Sequence, residues 1–269
     1  ISTATFGFKT HSLHIKAPEF FSFTTAEGVA LNGYMIKPYD FDPSKKYPVI
    51  MRVYGGPGSQ EAKQWYDGFK MMWHQMMAQK GYITVCVDNR GTALRGRDFR
   101  TSTYGQLGKY ETNDQIEAAK WLSKQSFIDG NRIGIWGWSY GGYMAGLCIT
   151  RGADVFKAAV SVAPVTNWKY YDNIYTERYM GTLETNPNGF DANAPMAYAD
   201  KLQGKYLLIH GTGDDNVHFQ NSAEWINALI KNNKQFDLMI YPDRNHGVSG
   251  GNTRYHLYTL MTNFWLENL

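Results

Sequence analysis

The chain is patterned as apolar runs of two kinds, short alternating ones near its start and nearly continuous ones further on, separated by polar and glycine-containing turns. FFSFTT and LNGYMIKP alternate apolar and polar positions on either side of Glu27-Gly28, which predicts an antiparallel hairpin, and Pro38 closes its second strand. YPVIMRVYGG and YITVCVDNRG are mostly β-branched and apolar throughout, the pattern of strands buried on both faces, with a helical stretch over about residues 68 to 80 between them. The alternation continues with a helix from about Thr112 to Ser123, a strand RIGIW, a helix starting at Tyr140 and a strand KAAVSVAP. A strand KYLLIHG, a helix from about Ser222 to Asn232, a strand FDLMIYP and a helix from Arg254 to Leu269 complete it. Strands alternating with helices of this length predict one doubly wound α/β domain over residues 21 to 269, its sheet mostly parallel and covered on both faces. Residues 1 to 20 hold no sustained period and are expected to be an arm or linker arriving from elsewhere.

Composition changes this picture little. With 43% hydrophobic and 19% charged residues, the chain has material for a large core and too little charge for disorder. The formal net charge of +3 is carried by scattered basic residues, so no nucleic-acid partner is expected. Cys86 and Cys148 each sit in an apolar run and are expected to be buried thiols rather than a bridge. No apolar stretch approaches the about eighteen residues of a membrane span, and the first residues lack a signal peptide's apolar centre.

The candidate chemistry lies where predicted strands end. Gly137-Trp138-Ser139-Tyr140-Gly141 joins the strand RIGIW to a helix. A serine on such a sharp turn needs neighbours without a β-carbon, and its hydroxyl then stands beside the free N–H groups of a helix N-terminus. Gly247-Val248-Ser249-Gly250-Gly251 matches the same pattern, but it follows a loop, and no suitable acid or histidine lies downstream. An α/β-hydrolase fold requires the order nucleophile, acid, histidine, the last two in loops after later strands. Asp214 and Asp215 follow KYLLIHG, and His246 follows FDLMIYP; spacing does not choose between the two aspartates. A metal reading of His210, Asp214, Asp215 and His218 matches no known ligand spacing, so no metal and no cofactor are expected. Tyr54 leads the glycine-rich Tyr54-Gly55-Gly56-Pro57-Gly58 after an early strand, where its phenol is a candidate oxyanion donor beside the Tyr140 N–H, or simply caps a tight turn. The aromatic stretch from Val165 through Trp168 and Tyr171 to Tyr175 is either core or the wall of an apolar pocket.

These stretches, together with Lys45-Lys46-Tyr47-Pro48, DQIEAAKWL, RIGIWGWSYGGYM, APVTNWKYYDNIYTERYMG and LLIHGTGDDNVHFQ, closely resemble the prolyl oligopeptidase family of serine peptidases, and within it the dipeptidyl peptidase IV branch. The resemblance runs from about residue 30 to the end. It implies a peptidase acting after proline, or less well alanine, near the N-terminus of a peptide substrate, with Ser139, Asp214 and His246 as the catalytic triad. It implies Tyr54 and Tyr140 as oxyanion donors, Asn216 as a side chain holding a substrate carbonyl, and Tyr140, Val165, Trp168, Tyr171, Tyr175 and Val217 as pocket walls. Relatives carry an N-terminal β-propeller that does not fit in this chain, so a catalytic fragment of a longer parent is expected. Self-association through the C-terminal helix and a periplasmic or extracellular location are further expectations from the same likeness.

Overall fold

The computed structural model describes residues 15–64 and 68–269. Eight strands form one sheet: β1 (Glu19–Thr24), β2 (Ala30–Ile36), β3 (Tyr47–Val53), β4 (Ile83–Asp88), β5 (Ile128–Trp138), β6 (Ala158–Val162), β7 (Lys205–Gly211) and β8 (Asp237–Tyr241). Their order across the sheet is β1-β2-β4-β3-β5-β6-β7-β8. The hairpin β1–β2 joins β4 antiparallel, and every pairing from β4 to β8 is parallel. This is the mostly parallel, doubly wound sheet that the pattern predicts. The expected arm lies, through residue 14, outside the described residues, and β1 opens at Glu19.

Burial explains the two kinds of apolar run. Every residue of β3, β4 and β6 is buried, so both faces of those strands must be apolar. The sheet edges keep alternation: β1 and β8 leave most of their positions exposed or half-buried. Eight helices accompany the strands: α1 (Gly68–Gln79), α2 (Arg97–Thr101), α3 (Lys109–Ser123), α4 (Tyr140–Arg151), α5 (Asn173–Met180), α6 (Gly189–Ala192), α7 (Gln220–Lys231) and α8 (Thr253–Asn268). On one face, Ala118 and Leu122 of α3, Met144 and Leu147 of α4, and Trp225 and Leu229 of α7 share one buried cluster with Ile133 and Ile135 of β5. On the other, Trp73 and Met77 of α1 and Leu257, Met261 and Trp265 of α8 meet Trp136, Val160 and Ile209. Each such fully buried side chain contributes roughly 1.5–3 kcal/mol. Cys86 and Cys148 are both buried and are not joined by a disulfide.

The structure departs from the sequence pattern in short helices and helix starts. Helix α3 begins at Lys109, three residues before the expected Thr112, because Gly108 takes a left-handed conformation with φ 87° and starts the first turn on polar residues without apolar period. The aromatic stretch, for which the sequence pattern predicts no helix, contains a 3-10 turn, Trp168–Tyr170, capped by the Asn167 side chain, and then α5, capped by Asp172 accepting from the Tyr175 N–H. Strand order places the site. The chain runs outward in opposite directions from β3, to β4 on one side and β5 on the other, which leaves a crevice at their C-terminal ends. Tyr54 follows β3 and Ser139 follows β5, so both stand at that crevice.

Candidate active site

Ser139 is the single residue between β5 and α4, with φ 60° and ψ −119°. A non-glycine residue at positive φ costs about 1–3 kcal/mol and persists only where its surroundings hold it. Here the Ser139 N–H donates to Val162 O at 2.8 Å, and its carbonyl accepts the Tyr143 N–H at 3.0 Å. The flanking glycines are required by close approach. A β-carbon on Gly137 would lie 2.3 Å from the Gly141 carbonyl, and one on Gly141 would lie 2.1 Å from Val53 O. The serine hydroxyl makes no hydrogen bond among the described residues, and Tyr140, as first residue of α4, has an N–H with no intrahelical partner. Ser249 lies exposed in the loop before α8, with neither strand nor elbow to orient it.

The loops after β7 and β8 bring the other two candidates together across 32 positions of sequence: His246 Nδ1 lies 2.7 Å from Asp214 Oδ2. Asp215 is exposed and has no bond to His246, so of the two aspartates it is Asp214 that pairs with the histidine. Asp214 Oδ1 accepts the N–H groups of Asn216 at 3.0 Å and Val217 at 2.9 Å. Burial by itself would raise the Asp214 carboxyl, but hydrogen bonds from His210 and His246, and then the Asn216 N–H, outweigh it and hold the group well below the usual carboxylate range. His246 is tied back to the serine turn, because the Trp138 indole N–H donates to His246 O at 2.9 Å.

Tyr54, Ser139, Tyr140, Val165, Trp168, Tyr171 and Tyr175 line one cavity of about 20 Å³. Trp168 stacks on Tyr175 with centroids 5.6 Å apart, and Tyr171 meets both rings edge-on at 87°. The aromatic segment is therefore a wall as well as core. Val217 does not line this cavity. It is fully buried, its N–H and carbonyl engaged by Asp214 and His210. Asn216 stands at the rim, its Oδ1 accepting the Tyr171 hydroxyl at 2.7 Å. A much larger cavity, about 590 Å³, lies at Arg90, Asp114, Glu117 and Lys120, but no candidate site residue faces it. Convergence of chemical groups, not volume, marks the site.

The two tyrosines at the serine differ in what their hydroxyls do. Burial, then the negative charge of Glu61, raises the Tyr54 phenol above its ordinary value, so at neutral pH it keeps its proton; it has no hydrogen-bond partner among the described residues. The Tyr140 hydroxyl is already engaged, donating to Glu111 Oε1 at 2.8 Å. Beside the serine, the Tyr54 hydroxyl and the Tyr140 backbone N–H are thus donors not engaged by other described residues.

A model of the prolyl oligopeptidase family matches residues 68–269. The chain belongs to that family. Among curated members it is 47% identical over 234 residues to the prolyl endopeptidase FAP of Mus musculus, covering 86% of this chain and 30% of that protein. It is 44% identical to the dipeptidyl peptidase 4 of Felis catus over the same shares of each chain. The crystal structure of Porphyromonas gingivalis dipeptidyl peptidase 4 superposes with a TM-score of 0.91 at 46% identity, covering 94% of this chain and 35% of that one. The chain thus spans 30% to 35% of the length of these relatives.

Three residues of this prolyl oligopeptidase domain escape sequence reasoning: Trp138, Glu111 and His210. Trp138 carried a signal in hindsight, as the variable position of the serine motif, but its bond to the histidine loop spans 108 positions. Glu111 falls in the polar first turn that hid the start of α3. His210 was visible only as a weak metal ligand, whereas both its ring nitrogens are taken by hydrogen bonds.

Proposed function

We propose that this domain is the catalytic centre of a serine peptidase that hydrolyses the peptide bond after a prolyl residue, through an acyl-enzyme on Ser139. The observation that carries the reading is the cavity opening directly beside Ser139. Its walls, the rings of Tyr140, Trp168, Tyr171 and Tyr175 with Val165, form an apolar aromatic lining that suits a flat, compact side chain such as that of proline.

In this mechanism Ser139 Oγ attacks the prolyl carbonyl carbon while His246 Nε2 takes the hydroxyl proton. Asp214, ionised and buried, accepts from His246 Nδ1 and stabilises the imidazolium. The oxyanion that forms accepts hydrogen bonds from the Tyr54 hydroxyl and the Tyr140 N–H. The C–N bond then breaks, and the leaving amine takes the proton from His246. Water attacks the remaining ester and gives a proton to His246, which passes it to Ser139 Oγ as the ester C–O bond breaks, so the acid is released and the serine and histidine are restored. Asn216, beside Tyr171 at the rim, offers a side-chain amide to a substrate carbonyl upstream of the proline.

The relatives' names divide between endopeptidase and dipeptidyl peptidase, and the group that reads the substrate's free amine is assigned here to the part of the parent beyond this chain, a propeller-type domain. Self-association of the parent belongs to the same proposal; α8 leaves Tyr255 and Leu266 exposed, and the edge strand β8 leaves Leu238 and Ile240 exposed. The test is chromophore release from glycyl-prolyl, alanyl-prolyl and tripeptidyl-prolyl amides, with a short-chain ester as control, using wild type and Ser139→Ala in the full-length parent. Cleavage of prolyl amides that disappears in the variant is the expected result. Ester cleavage alone would replace the peptidase reading with that of a general hydrolase.

A further inference from the structure

Behind the Asp214–His246 pair lies a second histidine that touches neither the serine nor the cavity. His210 is the penultimate residue of β7 and is completely buried. Its Nε2 lies 2.8 Å from Val217 O and 3.1 Å from Asp214 Oδ2, and its Nδ1 lies 2.7 Å from Ser222 Oγ on α7. Phe219 packs edge-on against the ring with centroids 5.6 Å apart, which limits its rotation.

The partners determine the tautomer. A peptide carbonyl only accepts, and an ionised carboxylate only accepts, so Nε2 must carry the proton and share it between Val217 O and Asp214 Oδ2. In the neutral ring Nδ1 then has no proton and accepts from the Ser222 hydroxyl. With His210 in place the Asp214 carboxylate receives four donors: two backbone N–H groups on Oδ1, and two imidazole N–H groups on Oδ2. Oδ2 can neither rotate away from His246 nor take up a proton without breaking one of these bonds. The direction of the last donor, toward His246, is what a triad acid must get right, because misplacing a catalytic group by even an ångström is expensive in rate.

We propose that His210, braced by Ser222, is a positioning residue of this catalytic centre, extending the triad to a chain of five: Ser222, His210, Asp214, His246 and Ser139. The proposal rests on the peptidase reading for its rate measurements, though not for its spectroscopic one. His210 acts through Asp214 and does not meet substrate, so its loss lowers kcat and leaves KM nearly as it was.

The decisive set is His210→Leu, His210→Gln and Ser222→Ala in the full-length protein. Leucine removes the donor at similar bulk; the glutamine amide nitrogen can reoccupy the place of Nε2. We expect kcat on prolyl amides to fall roughly 10- to 100-fold in His210→Leu with KM within about threefold, the loss typical of removing a charge-assisted bond behind a reacting group. His210→Gln should recover most of it, and Ser222→Ala should lose several-fold. In proton NMR, the far-downfield signal of the proton between His246 and Asp214 should shift or broaden in His210→Leu and Ser222→Ala and return in His210→Gln. Labelling of Ser139 by a fluorophosphonate should slow in the same order. Neither of these readouts needs a peptide, so a wild type that labels but cleaves no prolyl amide overturns the substrate reading alone. Folded His210→Leu with wild-type kcat, labelling rate and downfield signal would reduce His210 to a packing residue. Should that variant not fold, an unchanged signal and rate in Ser222→Ala, or no difference between Ser222→Ala and wild type in labelling, would overturn the proposal equally.

Discussion

Asp214 and Glu111 are both buried carboxylates one contact away from the serine turn, and the protein drives them in opposite directions. Asp214 sits at the end of β7 with every lone-pair direction matched to a donor, and its carboxyl is held well below the usual range. Glu111, in the first turn of α3, has Oε1 bonded to the Tyr140 hydroxyl and Oε2 buried without a partner. Burial pushes its carboxyl up to about 7, against the pull of the Gly108 and Glu111 N–H groups and of Tyr140. Glu111 is packed more deeply than Asp214 and meets fewer donors, so burial and the number and aim of donors together decide the charge state. One carboxylate is kept negative, as an acid that orients a histidine must be. The other is left close to neutral, where it fastens a tyrosine.

The largest break in this comparison is Asp214→Asn. Amide for carboxylate at this position removes the acceptor that orients His246 Nδ1–H, and kcat on prolyl amides should fall by about 10⁴ in steady-state assays. The same chemical exchange at Glu111 should leave kcat within several-fold, and equal losses at both sites would show that Glu111 belongs to the reacting machinery. Next in size is Tyr54→Phe. Glu111 occupies the Tyr140 hydroxyl, so of these two tyrosines it is Tyr54 whose hydroxyl is uncommitted among the described residues, as the proposed oxyanion donor needs. Its loss should reduce kcat on the order of 100-fold with an unchanged melting temperature, and turnover at the wild-type rate would remove Tyr54 from the oxyanion hole.

How much of this was legible in the sequence follows from the range of the forces involved. Strands such as YPVIMRV and ITVCVD declare themselves because burial on both faces demands uninterrupted apolar residues. The serine elbow is legible because its geometry demands particular neighbours in sequence, Gly137 and Gly141. The choice of Asp214 over Asp215 is not, since it depends on which carboxylate the Asn216 and Val217 N–H groups turn inward, toward a histidine 32 positions away. Helix α5 was missed because its eight residues have little apolar period and rest on the Asp172 cap and on stacking of Tyr175 against Trp168. Val217 reads as a pocket wall by resemblance, yet it packs beneath the Asp214 loop, where its backbone is needed by two partners. His210 and Glu111 are polar residues in ordinary positions, and only tertiary contact distinguishes them.

The smallest effect on rate carries the sharpest thermodynamic test. A carboxyl raised from its ordinary value of 4.5 to about 7 binds a proton in the folded protein that the unfolded chain has already released. Between those two values folding therefore takes up a proton, and stability falls as pH rises. Below about pH 4 both states are protonated and the full contribution is present; above pH 7 both are ionised and it is gone. At about 1.4 kcal/mol per pH unit the whole span amounts to about 3 kcal/mol. Glu111→Gln has no proton to take up, so its stability should lack this slope and gain about that much on wild type between pH 4 and pH 8, by urea denaturation. Any cost of the unpaired glutamine amide is the same at both pH values and cancels in the difference. Parallel stability curves for wild type and variant would mean that Glu111 titrates in its ordinary range, and the contrast with Asp214 would collapse to two ionised carboxylates differing only in their partners.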